Sequence, residues 1–171
     1  MTPMTDDPLD PPSQLGRMAA ASATIAGLRG VIKAGEPWPT KPASDEGPEA
    51  EWGPPEVLAH TAEMLQYWLG EIERVVAGST EPLPFGRVST DPLRTLTIER
   101  DRTLPTGELI SRIQASVGRY AARLPELSSA DWQRPGIHPR LGEMTVEAML
   151  QRFVVTHLDE HAVQLRESLA S

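Results

Sequence analysis

A chain of 171 residues and 18.7 kDa is the size of one compact domain, and its 39% hydrophobic and 23% charged residues, with mean hydropathy -0.31, are those of an ordinary water-facing protein. No apolar run approaches the ~18 residues of a membrane span, and a net charge of -8 argues against a surface that tracks nucleic-acid phosphates. The absence of cysteine excludes disulfides, thiolate zinc sites and a cysteine nucleophile. Residues 1–12 are acidic and proline-rich, without the basic and apolar regions of an export signal. They are expected to form a flexible tail ahead of a bundle domain over 13–171, and the protein is expected to be cytoplasmic.

Proline placement divides the chain, because a proline inside a helix loses a hydrogen bond and clashes with the preceding turn. Clusters at 3–12, 37–55, 82–92 and 125–139 leave four proline-free windows of helix length. The first, Ser13 to Glu36, is alanine-rich, with Leu15, Met18, Ile25, Leu28 and Ile32 as its apolar positions. The stretch from Pro37 to Pro55 then reads as a long connection. The second helix has Pro54 and Pro55 in its first turn, where a missing N–H costs nothing, and runs to Gly78 with Val57, Met64, Trp68, Ile72 and Val75 on one face. Asp91-Pro92 opens a short extra helix to about Arg100. Thr106 to Leu124 gives the third main helix, and the fourth follows Thr145, a predicted N-cap, with Val146, Met149, Leu150, Phe153 and Val154 at helical spacing. No window alternates as a strand does, so an all-α four-helix bundle without a sheet is predicted.

Charge is uneven along the chain: residues 1–86 hold 13 acids and 5 bases, whereas 87–171 hold 11 of each. Arginine outnumbers lysine 14 to 2, which suits bidentate anion pairing but equally follows from a GC-rich genome. Arg87, Arg94, Arg100 and Arg102 can bind an anion, or pair with Asp91, Glu99 and Asp101 as a salt-bridged surface, the commoner outcome. Trp38, Trp52, Trp68 and Trp132 are expected to supply buried area.

The four histidines carry the chemical signal. His60 lies between Val57 and Met64 on the apolar face of the second helix, and His157 and His161, at i and i+4, continue the apolar face of the last. Singly, each reads as a hydrogen-bonded core residue. Together, three imidazoles in an apolar core each need partners, and a divalent metal supplies them. His138, beside Pro139, has no periodic context and is expected on a surface or loop. His157-Leu158-Asp159-Glu160-His161 also fits the H-x-x-E-H string of inverted zinc proteases, but only ten residues follow it, with no further ligand helix. A di-iron bundle needs Glu-x-x-His pairs, whereas Val57, Pro135, Val154 and Leu158 precede the histidines by three, so a mononuclear site is expected.

Two segments, WGPPEVLAHTAEMLQYWLGEIE and HPRLGEMTVEAMLQRFVVTHLDEHAVQL, resemble the histidine-bearing second and last helices of the DinB-like superfamily, which includes the mycothiol-dependent maleylpyruvate isomerases. The IERDR and ADW segments lie where such proteins carry comparable strings. The resemblance covers most of the chain and implies a metal-binding four-helix bundle with a long first connection. It also implies that His60, His157 and His161 hold one divalent ion, Zn, Ni, Fe or Mn, with positions open to substrate, and that the chain forms a homodimer. The ion would activate water or a low-molecular-weight thiol such as mycothiol for transfer or isomerisation, with Glu160 as proton acceptor or supporting partner. A metal-dependent hydrolase and a non-catalytic metal-binding, stress-associated or interaction protein are the alternatives, since membership does not fix the reaction.

Overall fold

The computed structural model describes residues 10–43 and 49–170. Helix α1 (Pro11–Gly27) starts at two prolines in its first turn, capped by Asp10, whose carboxylate accepts the Ser13 N–H at 2.7 Å. The helix thus begins inside the segment assigned to the tail, and residues 1–9 of that tail lie outside the described residues. The first window is not one helix. It breaks at Leu28 and resumes as α2 (Arg29–Ala34).

Helix α3 (Pro54–Val76) buries more of its residues than any other described helix, as its apolar face and first-turn prolines predict. Asp91 caps α4 (Pro92–Asp101), accepting the Arg94 N–H at 3.1 Å. Helices α5 (Thr106–Arg123) and α6 (Ser129–Trp132) follow, and Thr145 caps the last helix, its hydroxyl accepting the Ala148 N–H at 3.2 Å. That helix is one continuous rod of three parts: α7 (Val146–Met149), a π-helical stretch (Leu150–Thr156) and α8 (His157–Ala170). The π stretch, invisible in the apolar periodicity, ends immediately before His157. Such bulges cluster at functional sites because they re-aim the residues that follow.

The main helices form a four-helix bundle in which α1 packs on α5 and α8, and α3 packs on the same two. Consecutive helices α1 and α3 therefore stand at opposite corners, and the long connection between them spans the diagonal. Met18 and Ile25 of α1, Leu58 and Leu65 of α3, Ile113 and Tyr120 of α5, and Val154 and Leu158 of the last helix fill the core. The Tyr120 hydroxyl, fully enclosed, donates to the Leu65 carbonyl at 2.6 Å and ties α5 to α3. None of the described helices is long and apolar enough to cross a membrane.

The prediction of no sheet is corrected. Strands β1 (Leu83–Pro84), β2 (Pro135–His138) and β3 (Gly142–Thr145) form a small sheet in the order β1-β2-β3, with β1 parallel and β3 antiparallel to β2. Strands of two to four residues are too short for alternation to register, and proline and glycine in β2 argue locally against one. The sheet brings Phe85 and His138 beneath the last helix. Gly86 makes that approach possible: its φ is +80°, and an added Cβ would stand 2.7 Å from the His138 ring and 3.2 Å from Trp68. Gly86→Ala should therefore destabilise the protein by more than the ~1–2 kcal/mol of left-handed backbone alone, read from the urea midpoint. A wild-type midpoint would contradict the close approach.

Candidate metal centre

Helix α3 and the last helix run antiparallel, so that His60 meets His157 and His161 while Trp68, two turns further on, stacks on Phe153 at 4.3 Å. Ring centroids lie 5.2 Å apart for His60 and His157, 5.0 Å for His60 and His161, and 4.5 Å for the His157–His161 pair. The three predicted residues are thus brought together, His60 and His161 buried and His157 half-buried. Glu49, on a short helical turn (Glu49–Glu51) in the long connection, joins them: one ligand atom from each of the four lies within 4.8 Å of the others.

The partners of the rings decide which nitrogens are available. Gln164 donates its amide N–H to the Glu49 carbonyl at 2.7 Å, which leaves its Oε1 to accept the His161 Nδ1–H at 3.0 Å. This fixes the proton of His161 on Nδ1 and leaves a lone pair on Nε2, a buried atom with no hydrogen-bond partner. His60 also has no hydrogen-bonded nitrogen, and its Nδ1 faces the Glu63 carboxylate at 3.5 Å. Glu63 is itself half-buried and paired with Arg87. A carboxylate facing one imidazole nitrogen, with the other nitrogen open, is a usual arrangement around a metal ligand. Unpartnered buried nitrogens cost roughly 1–3 kcal/mol each, so the donor set fits a divalent ion: imidazoles and one carboxylate, arranged around a single point.

Electrostatics point the same way. Burial holds the His60 pKa well below the ordinary imidazole value, and the His161 ring and Arg94 guanidinium add to the effect. Burial likewise brings His157 down to about 3, with His161 and Arg94 contributing, and lowers His161 against the opposing hydrogen bond from Gln164. All three rings are neutral near pH 7, the form that coordinates metals. Trp52 closes the buried side: its ring meets His60 edge to face, with centroids 5.5 Å apart, and its indole N–H donates to the Pro42 carbonyl at 2.8 Å.

His138 is not a loop residue on the surface. It is buried in β2, stacked on Phe153 at 4.9 Å, so that Phe153 lies between two parallel rings. Its Nδ1 accepts the backbone N–H groups of Arg140 and Leu141 at 3.2 and 3.3 Å, which places its proton on Nε2 and removes it as a ligand. Glu160 is exposed and lines a cleft that His157 also lines. The arginine cluster is internally paired: Arg87 with Glu63, Arg94 with Glu49, Arg100 with Asp101 at 2.7 Å, and Arg102 with the Lys41 carbonyl. Glu49 and Glu63 were not singled out from the sequence. Glu63 carried a signal, its i+3 spacing from His60, whereas Glu49 sits in an acidic connection without periodicity.

The profile of the DinB superfamily matches residues 3–165. The chain belongs to the DinB superfamily. Among solved structures it is similar to YfiT from Bacillus subtilis, with TM-score 0.60 and 18% identity over 88% of this chain and 85% of that one. YfiT is described as a probable metal-dependent hydrolase with an unusual four-helix bundle topology. At that identity the likeness shows the fold. No curated protein sequence matches the chain.

Neutral buried imidazoles give this DinB-superfamily protein a defined acid response. The unfolded chain takes up protons on ordinary histidines below about pH 6.5, whereas the folded chain does not until its depressed pKa values, about 3 for His157. The unfolded state thus binds more protons in that window, and stability falls as pH falls. The urea midpoint of chelator-treated protein should drop between about pH 6.5 and 5, and His157→Gln should reduce the slope. An identical slope in the variant would mean that His157 is not held neutral.

Proposed function

We propose that this protein is a metal-dependent enzyme in which His60, His157 and His161 hold one divalent ion, Zn, Ni, Fe or Mn, and present it to an external nucleophile. The observation that carries the reading is the orphaned, buried Nε2 of His161, directed by the Gln164 hydrogen bond towards the other two rings. A divalent ion supplies Lewis acidity there, bringing the pKa of water or of a thiol towards neutrality. Gln164 orients His161, and the Glu63 carboxylate stands 3.5 Å from the His60 Nδ1. Arg94 holds the Glu49 carboxylate at the edge of the cluster. His157, half-buried, is the ring that faces the open side. Glu160, which lines the same cleft, is the side chain assigned to take up the proton of the attacking water or thiol.

Since the chain has no cysteine, the nucleophile is not its own thiol. Hydrolysis has the support of the likeness to YfiT. The cleft beyond His157, of about 550 Å3, is large enough for a small organic substrate in either reaction, and transfer from a mycothiol-like thiol is the second reading.

Reconstitution separates these readings. Protein loaded with each metal in turn is assayed on activated esters in water alone, and on small electrophiles with an added thiol. Turnover should appear on loading and fall to background in His157→Ala with helical circular dichroism retained. Turnover in water alone identifies a hydrolase, and thiol-dependent turnover a transferase. Full activity in His157→Ala contradicts the proposal, and a loaded but inert protein supports the non-catalytic alternative.

A further inference from the structure

Two open clefts meet at the histidine centre. One, of about 210 Å3, is walled by Trp68 and Phe153, reaches His60 and His157, and carries Arg140 at its rim. The other, of about 550 Å3, lies beyond His157 and carries Arg152. Phe153 and His157 line both, so the clefts are the two sides of one partition, and together they have the size of a small-molecule site.

Four guanidinium groups surround this space, and they fall into two kinds. Arg87 pairs with Glu63 and lies 3.8 Å over the Tyr67 ring, while Arg94 pairs with Glu49 and donates to the Ser89 carbonyl at 3.0 Å. Their charge is matched within the fold. Arg140 and Arg152 are exposed, and neither side chain has an ion pair or hydrogen bond among the described residues. Both lie near enough to His138 for their charges to be felt at its ring. In a chain with 24 acidic residues against 16 basic ones, Arg140 and Arg152 are guanidinium groups left unpaired at the mouths of the two clefts, the larger of which also carries the Glu160 carboxylate beside His157.

We propose that Arg140 and Arg152 form an anion-binding rim, and that the substrate or cosubstrate handled at the histidine centre carries a carboxylate. This rests on the proposed metal-dependent reading, since it names the ligand class of the same site. A guanidinium presents parallel N–H donors that match the two oxygens of a carboxylate. Met144 and Ala148 line the larger cleft and offer apolar contact for the body of the ligand, and the Phe153 edge serves both sides. With its carboxylate at the rim, a small organic acid has its other end directed at His157. The positive rim also draws anions to a molecule whose overall charge repels them.

The test compares phenylacetate with phenylacetamide, an acid and its neutral analogue of nearly the same shape, by calorimetric titration of the metal-loaded full-length chain. The acid should bind at least 10-fold more tightly, about 1.4 kcal/mol. Arg140→Gln with Arg152→Gln should abolish the preference while the metal content stays at the wild-type level. Both side chains are exposed, so the variant keeps the core intact. A carboxylate can also ligate an ion directly. A preference that survives in the double variant therefore belongs to the ion and overturns the rim. Equal binding of acid and amide, or binding of neither, overturns it as well. Metal analysis of the wild type distinguishes the other failure: a chain that takes up no metal contradicts the histidine centre, and the same titration of that chain then decides the rim alone.

Discussion

Three uncharged imidazoles share one apolar seam between α3 and the last helix, and the surrounding structure is organised by what those rings require. His60 brings both its nitrogens, and His161 its Nε2, out of water without a hydrogen-bond partner, and an unpaired one costs about as much as several buried methylenes contribute. Part of that requirement is met internally: Gln164 takes the His161 Nδ1–H. The remaining lone pairs converge with the Glu49 carboxylate on one point. Each lone pair left without a partner costs roughly 1–3 kcal/mol, and a cation is the partner that suits all of them together.

The rest of the fold positions that seam. The diagonal placement of α1 and α3 requires a long connection, and that connection carries Glu49 and Trp52 to the buried side of the rings. The small sheet supports the opposite side, placing His138 against Phe153 and so fixing the partition that separates two clefts. The π-helical stretch ends at Thr156, so the chain re-enters regular α-helix with His157 and His161 one turn apart. Paired arginines hold Glu49 and Glu63, the two carboxylates nearest the rings.

The helices and the histidine triad were legible because both depend on periodicity. His60 falls in step with Val57 and Met64, and His157 with His161, so a helical reading alone puts them inside. The caps at Asp91 and Thr145 were legible for a similar local reason, a side-chain oxygen three residues from a free N–H. What escaped were features set by distant contacts. β2 pairs Pro135–His138 with residues on both sides of it, and nothing in those four residues alternates. His138 is buried only because the sheet folds under Phe153. Glu49 reaches the rings through the long connection rather than along a helix face. The π stretch leaves the apolar pattern nearly unchanged, since Val154 and Val155 are buried side by side. Membership of the DinB superfamily fixes the bundle and leaves the reaction to the site residues.

The most direct measurement is the number of divalent metal ions per chain in untagged protein, compared between the native sequence and His60→Ala. The account predicts about one ion per native chain, as three imidazoles and one open site imply, and none in the variant. A native chain that holds no metal even after reconstitution, or a variant that retains it fully, would contradict the histidine centre.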